Sequence, residues 1–249
     1  MKNRFAAIAC ALLLGACAPS GDGSFQGWVE AEQVFVSPHE VGRIEALKVR
    51  EGDSVKTGDE LFTLDDDLQV ADLKQAEASL TNARQAFDRA QVLLKTAAGT
   101  QRAFDDAESA LRTAEARLNS SQTRLARRKV SSPATGVVQQ IYFRQGEMVP
   151  AGRPVLALLP PENIKLRFFL PETTVAKVAI GDSVNVSCDA CPSDLTARVS
   201  FIAQSAEFTP PVIYSLEERS KLVYLVEARP EKPAALRVGQ PVSVRLVAK

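Results

Sequence analysis

The chain has 249 residues, enough for one or two domains with a sizeable core. It carries 30 basic and 30 acidic side chains for a formal net charge of +0, so it lacks the basic excess of a nucleic-acid binder. With a single histidine, His39, and scattered carboxylates, it offers little from which to build a metal enzyme.

Residues 1–16 read as a lipoprotein signal peptide. Lys2 and Arg4 form a positive region, and Phe5 to Leu14 form a short apolar core. That core is well below the about 20 residues that span a bilayer. It closes in Leu14-Gly15-Ala16-Cys17, which resembles the bacterial lipobox. The resemblance implies cleavage before Cys17 and lipidation of that cysteine. A plain secretory signal with an incidental Cys17 is the alternative. Residues 17–27 then read as a lipidated flexible tether. No other stretch is long and apolar enough to span a membrane.

Trp28 to Asp66 reads as an N-terminal strand followed by short strands and turns. Gly52-Asp53 and Gly58-Asp59 punctuate an alternation of apolar and polar residues. The pattern returns in residues 129–160. Gly52 and Gly58 come back as Gly146 and Gly152, Val55 as Val149, Leu61 and Leu64 as Val155 and Leu158. Upstream, Gly42 and Ile44 come back as Gly136 and Val138. Each half has too few apolar residues for a core of its own, so the two are expected to pack as one β-sandwich.

Residues 67–128 between them are helical in character, with no proline and a single glycine, Gly99. Leu73, Ala76, Leu80, Ala83, Phe87, Ala90 and Leu94 recur at alternating spacings of three and four. Phe104, Ala107, Leu111, Ala114, Leu118, Ser121 and Leu125 repeat the pattern. This is a coiled-coil seam on two arms. Each arm of about 30 residues spans about 45 Å, and the reversal is expected at Gly99. Two helices of a globular bundle are the alternative, but such helices would need partners, and the rest of the chain reads as β.

Residues 161–249 hold five strand-length runs: Ile164–Pro171, Asp182–Cys188, Thr196–Ala203, Lys221–Ala228 and Gln240–Val247. A short helix fits within Glu172–Asp182. The expectation is a small β-barrel. Glu207 to Ser215 reads as a proline-bearing loop. Once Cys10 leaves with the signal, Cys188 and Cys191 are the remaining pair. In an oxidising compartment they are a disulfide candidate, with two free thiols as the alternative. Zinc would need two further ligands, and a thioredoxin-like catalytic Cys-x-x-Cys would need a βαβ setting rather than strands.

The order of these parts resembles the HlyD-type membrane fusion proteins, the periplasmic adaptor subunits of tripartite exporters. The match runs from about Cys17 to the end. It implies an α+β, mainly β fold: a split lipoyl-like β-sandwich, an inserted antiparallel coiled-coil α-hairpin, and a small β-barrel. It implies a non-enzymatic linker, without cofactor or metal, in the Gram-negative periplasm. Its partners would be an inner-membrane transporter, a TolC-like outer-membrane channel and further copies of itself, as a hexamer anchored by lipid. Cys188 to Pro192 and Phe208 to Ser215 resemble a subgroup associated with ABC-type exporters. Ala18 departs from the aspartate that retains enteric lipoproteins in the inner membrane, which leaves the anchoring leaflet open. The resemblance also assigns Arg89, Leu93 and Thr100 to a channel-docking tip, with threonine in place of the family's serine.

Two rivals remain. A lipoyl or biotinyl carrier needs a lysine at the turn joining the halves, and here helices occupy that place. A coiled-coil envelope lipoprotein without an exporter differs only at the tip and in its partners. No nucleophile-base pair, phosphate loop or ligand cluster points to an enzyme.

Overall fold

The computed structural model describes residues 23–189, 191–192, 194–208 and 222–247. The signal peptide, Cys17 and the tether up to residue 22 lie outside the described residues, as does the proline-bearing loop beyond Phe208. The described residues form two compact units: one is Glu32–Asn163, and the other joins those up to Ala31 with those from Ile164 onward.

The first unit is the sandwich with its hairpin. Its strands are β2 (Val34–Val36), β3 (Gly42–Leu47), β4 (Ser54–Val55), β5 (Glu60–Leu64), β6 (Lys129–Ser131), β7 (Gly136–Ile141), β8 (Met148–Val149) and β9 (Leu156–Leu159). They make two four-stranded sheets, β2-β9-β7-β4 and β6-β5-β3-β8. Each sheet takes two strands from each half of the repeat. Exchanging the halves turns one sheet order into the other. The register agrees: Gly42 pairs with Val149, and Val55 with Gly136. Even the irregularities match, with a bulge between Ile44 and Ala46 in β3 and another between Val138 and Gln140 in β7. The shared core of Ile44, Leu61, Phe62, Val138, Leu156 and Leu158 belongs to neither half alone.

One four-residue turn recurs through both units. At Arg50–Asp53, Lys56–Asp59, Arg144–Glu147, Ala179–Asp182 and Arg237–Gln240, the third residue is a glycine at φ between 82° and 97°. Only glycine takes that conformation without strain. The fourth residue's backbone N–H returns to the first carbonyl. Its side-chain oxygen accepts from the first N–H at 2.7–3.0 Å. The Gly-Asp punctuation is thus a matched pair, in which glycine turns the chain and the acid ties it.

The hairpin consists of α1 (Asp67–Lys95) and α2 (Gln101–Ala126). All fourteen expected seam residues are buried or half-buried, while most other helix positions are exposed. Ala76 and Ala114 are the buried ones, as close helix approach requires. Phe87 meets Phe104 with ring centroids 5.3 Å apart.

The second unit is a closed six-stranded barrel. Its strands are β1 (Ser24–Ala31), β10 (Ile164–Pro171), β11 (Ser183–Ser187), β12 (Thr196–Ile202), β14 (Leu222–Pro230) and β15 (Pro241–Leu246). They run in the order β10-β1-β15-β11-β12-β14, and β14 pairs back to β10. The two-residue β13 (Glu207–Phe208) extends the β12 side along β14. A one-turn α3 (Glu172–Val175) follows β10. In β10, Ile164, Leu166, Phe168 and Leu170 point inward, while Lys165 and Arg167 lie on the outer face and pair with Glu227 and Glu30. The sequence expectation needs one boundary moved. Ser24 to Gly27, expected in the tether, and Trp28 to Ala31, expected with the first sandwich half, form β1 of the barrel.

Candidate docking site at the hairpin tip

At the far end of the hairpin, α1 stops by a helix-terminating motif that needs a left-handed residue. The N–H of Ala97 donates to the Leu94 carbonyl at 3.1 Å, and that of Ala98 to the Leu93 carbonyl at 2.9 Å. The left-handed residue is Ala97, at φ 57°, and not Gly99. Gly99 has a different task. A Cβ there would lie 3.0 Å from the Leu93 Cβ and 3.2 Å from backbone atoms of Leu93 and Leu94, so its bare Cα lets the returning chain lie against α1. Because alanine is strained in the left-handed region, Ala97→Gly is expected to stabilise the hairpin by roughly 0.5–1 kcal/mol, read from its thermal transition in circular dichroism.

Thr100 begins α2 as its N-cap, with extended φ/ψ, and its Oγ1 accepts from the Ala103 N–H at 3.2 Å. Among the described residues its hydroxyl has no acceptor. Arg89 is exposed and has no ion-pair partner among the described residues. Leu93 lies one turn beyond it on the same face, 48% exposed. The structure brings Leu93 against Gly99, whose N–H donates to the Leu93 carbonyl at 3.0 Å; Thr100 follows next in the chain and Arg89 lies a turn below Leu93. Val92, 59% exposed, adds apolar area that sequence reasoning passed over. The signal for it was available: like Leu93, it falls off the seam.

The hairpin base is clamped to the sandwich. The Leu64 N–H donates to the Arg128 carbonyl, and the Asp65 N–H to the Arg43 carbonyl. Arg128, 8% exposed, donates from Nη1 to the Val41 carbonyl at 2.9 Å, with Glu40 at 3.6 Å from Nη2. On the surface, Arg43 Nη2 lies 2.7 Å from Asp65 Oδ2. That hydrogen bond, then the Asp67 backbone N–H, holds the Asp65 carboxyl below the usual carboxylate range. A depressed carboxylate contributes stability above its unfolded value and loses it as pH falls through the folded one. Acidification below about pH 4 is therefore expected to loosen this end of the hairpin, less so in Asp65→Asn, as followed by amide exchange at the α1 N-terminus.

Elsewhere the chemistry is sparse. Phe35, Tyr142, Phe143, Arg153 and Pro154 line a shallow hollow on the sandwich. Among the described residues, no three of His, Cys, Asp or Glu gather as metal donors, and no helix is long and apolar enough to cross a membrane. Cys188 and Cys191 lie side by side in the structure, with Cα atoms 5.3 Å apart, a spacing that a disulfide can bridge.

Known proteins agree with this architecture. A UPF0194 membrane protein of Acidithiobacillus ferridurans is 28% identical, over 92% of this chain and 88% of its own. The multidrug resistance protein MdtA of Proteus mirabilis is 26% identical, over 88% of this chain and 57% of its own. Among solved structures, a MacA–MexA chimera carrying the Pseudomonas aeruginosa MexA α-hairpin superposes with a TM-score of 0.71. It is 20% identical and covers 90% of this chain and 80% of its own, which supports the fold. The interleaved sandwich itself, residues 32–159, matches the family described as "RND MFP, barrel-sandwich hybrid domain", and the chain belongs to that family of membrane fusion proteins.

Proposed function

We propose that the protein is a periplasmic adaptor that joins an inner-membrane transporter to a TolC-like outer-membrane channel for efflux or secretion. In this reading Cys17 is lipidated and tethers the chain to a membrane. Several copies, six by analogy with the family, assemble side by side. Their hairpins, each about 45 Å long, reach the channel. The observation that carries the reading is the tip: Arg89 and Leu93 sit exposed on one face, off the seam, at the end of a long hairpin. A seam-facing or ion-paired arginine would have an internal task; this one has none among the described residues. Arg89 would donate its planar fork to channel carbonyls or carboxylates. Leu93 and Val92 would bury apolar surface at the joint, and Thr100 would donate its hydroxyl proton.

An ABC-type transporter is the favoured inner-membrane partner, supported by the likeness of Cys188–Pro192 and Phe208–Ser215 to adaptors of that class. The test is export, with site-directed cross-linking to the channel, in cells carrying Arg89→Asp, Leu93→Asp or Thr100→Asn. Arg89→Asp and Leu93→Asp are expected to cut export and cross-linking at least tenfold at unchanged protein level. That corresponds to about 1.4 kcal/mol or more at the joint, within the range for a buried charge-assisted contact. Thr100→Asn retains a helix cap, so a loss there isolates the hydroxyl's outward role. If all three variants export and cross-link like the parent, the docking reading is wrong, and an envelope lipoprotein without an exporter takes its place.

A further inference from the structure

The recurring turn has one member whose fourth residue is neither acidic nor basic. Where Asp53, Asp59, Glu147 and Asp182 each present a carboxylate, the turn before β15 presents Gln240. The substitution has a chemical consequence. Gln240 Oε1 accepts from the Arg237 N–H at 3.0 Å, as the acids do in their turns. Since a backbone N–H can only donate, the carboxamide orientation is settled, and Nε2 faces the other way. There it donates to Cys188 Sγ at 3.1 Å, with Cys191 Sγ at 3.6 Å. A carboxylate at this place would cap the turn equally well but turn a negative charge on the sulfurs.

The disulfide makes a poor staple. It closes a loop between residues only three apart in sequence, and short loops gain least from cross-linking. The Cys191 N–H already bonds to the Cys188 carbonyl at 3.2 Å, so the turn is closed without it. Both cysteines are half-buried, resting against the barrel core on one side.

We propose that Cys188–Cys191 is an exchange site for a dithiol, in which Cys191 Sγ is attacked and Cys188 Sγ departs onto the Gln240 carboxamide. A thiolate of the incoming dithiol bonds to Cys191 Sγ, the Cys188–Cys191 bond breaks, and its electron pair leaves on Cys188. The second thiol of the reagent, deprotonated, then attacks its own sulfur in the mixed disulfide. Cys191 is released as a thiolate, and the reagent ends as a disulfide. The two protons the dithiol gives up finish on the two cysteines, and two electrons have passed into the barrel. Cys188 is the leaving atom because the amide donor lies nearer to it, and an N–H donor favours the charged sulfur. The redox state is felt beyond the pair. Gly239 and Gln240 exchange backbone hydrogen bonds with Val29 of β1 at 2.8 and 2.9 Å, so the residue that receives the thiolate also anchors β1.

The experiment uses the full chain with dithiothreitol as the probe. In Cys191→Ser, the pH midpoint for iodoacetamide labelling of Cys188 is expected to rise by about one unit when Gln240→Glu is added, about tenfold less thiolate at neutral pH. In the chain with both cysteines, Gln240→Glu is expected to slow reduction about three- to tenfold, because the leaving group is poorer. Glu147 fills the equivalent turn position, so the variant keeps the turn. Glutathione captured as a mixed disulfide should sit on Cys191. Equal midpoints and equal reduction rates with and without Gln240, or glutathione captured on Cys188, would overturn the proposal.

Discussion

Gly136→Ala is expected to unfold the sandwich under conditions that leave the parent folded, at a cost of about 3 kcal/mol or more. Gly136 is not a turn glycine. It lies at the start of β7, and a Cβ there would stand 2.6 Å from the Leu159 carbonyl oxygen, 2.8 Å from its carbon and 2.9 Å from the Pro160 nitrogen. All three are backbone atoms at the end of the neighbouring strand, so no rotamer change relieves the clash. Parting β7 from β9 would break the Val137–Leu159 and Val138–Leu158 register and uncover Leu156 and Leu158. The repeat supplies the control. Gly42 is the counterpart of Gly136, but its Cβ would meet Arg128 Nη1 at 2.6 Å and the Leu64 side chain at 3.2 Å. Those are side-chain atoms, and the guanidinium can swing away, though it gives up the Val41 carbonyl. Gly42→Ala is therefore expected to cost about 1–2 kcal/mol, clearly less than Gly136→Ala. Urea titrations followed at the helical band of circular dichroism would rank them. Equal costs would mean that the strand spacing at β7–β9 is softer than the structure has it.

That comparison shows what the sequence tells and what it withholds. The pairing of Gly42 with Gly136 is visible as spacing, because a repeat is a pattern along the chain. The reason each is glycine differs, and it lies in atoms brought from elsewhere in the fold. The seam was legible for a similar reason, since heptad spacing is a local consequence of helix geometry. So were the barrel strands after Ile164, whose alternation is written into each segment. The tip residues came from the family resemblance, and the seam spacing leaves Arg89 and Leu93 off the buried stripe. Ala97 was not foreseen as the left-handed residue, because the bias toward glycine pointed to Gly99. The burial of Arg128 was not foreseen either, since nothing near it in sequence announces the Val41 carbonyl it serves. The tie between Gln240 and the two sulfurs joins segments far apart in the chain. Gln240 read as the first residue of a strand run, whereas in the structure it closes the turn before Pro241.

The N-terminal barrel strand is the largest instance of such concealment, and Gly27→Ala tests it. Small polar residues and glycine around Gly21 to Gly27 give the segment the composition of a tether. In the structure Gly27 sits mid-strand, paired with Phe168 of β10 on one side and Val242 of β15 on the other. A Cβ at Gly27 would lie 2.4 Å from the Arg167 carbonyl oxygen and 2.7 Å from the Phe168 Cβ. The first of these is backbone of a paired strand, and Phe168 is fully buried in the barrel core. Gly27→Ala is thus expected to cost about 3 kcal/mol or more and to pull β1 from between its neighbours. Trp28 is the sole tryptophan. Its ring lies 5.8 Å from that of Phe169 and beneath Arg167, so its fluorescence reports on this strand. The fluorescence transition should move to much lower urea. The helical band, which belongs to the other unit, should keep its parent midpoint. Gly23→Ala is the control, since a Cβ there meets nothing within 4 Å and only the positive φ of 54° opposes it. Its cost should stay near 1 kcal/mol. If Gly27→Ala proves as mild as Gly23→Ala, the segment behaves as the tether its composition describes. If it unfolds the barrel as expected, Ser24 to Ala31 is a barrel strand whose place between β10 and β15 depends on the bare Cα of Gly27.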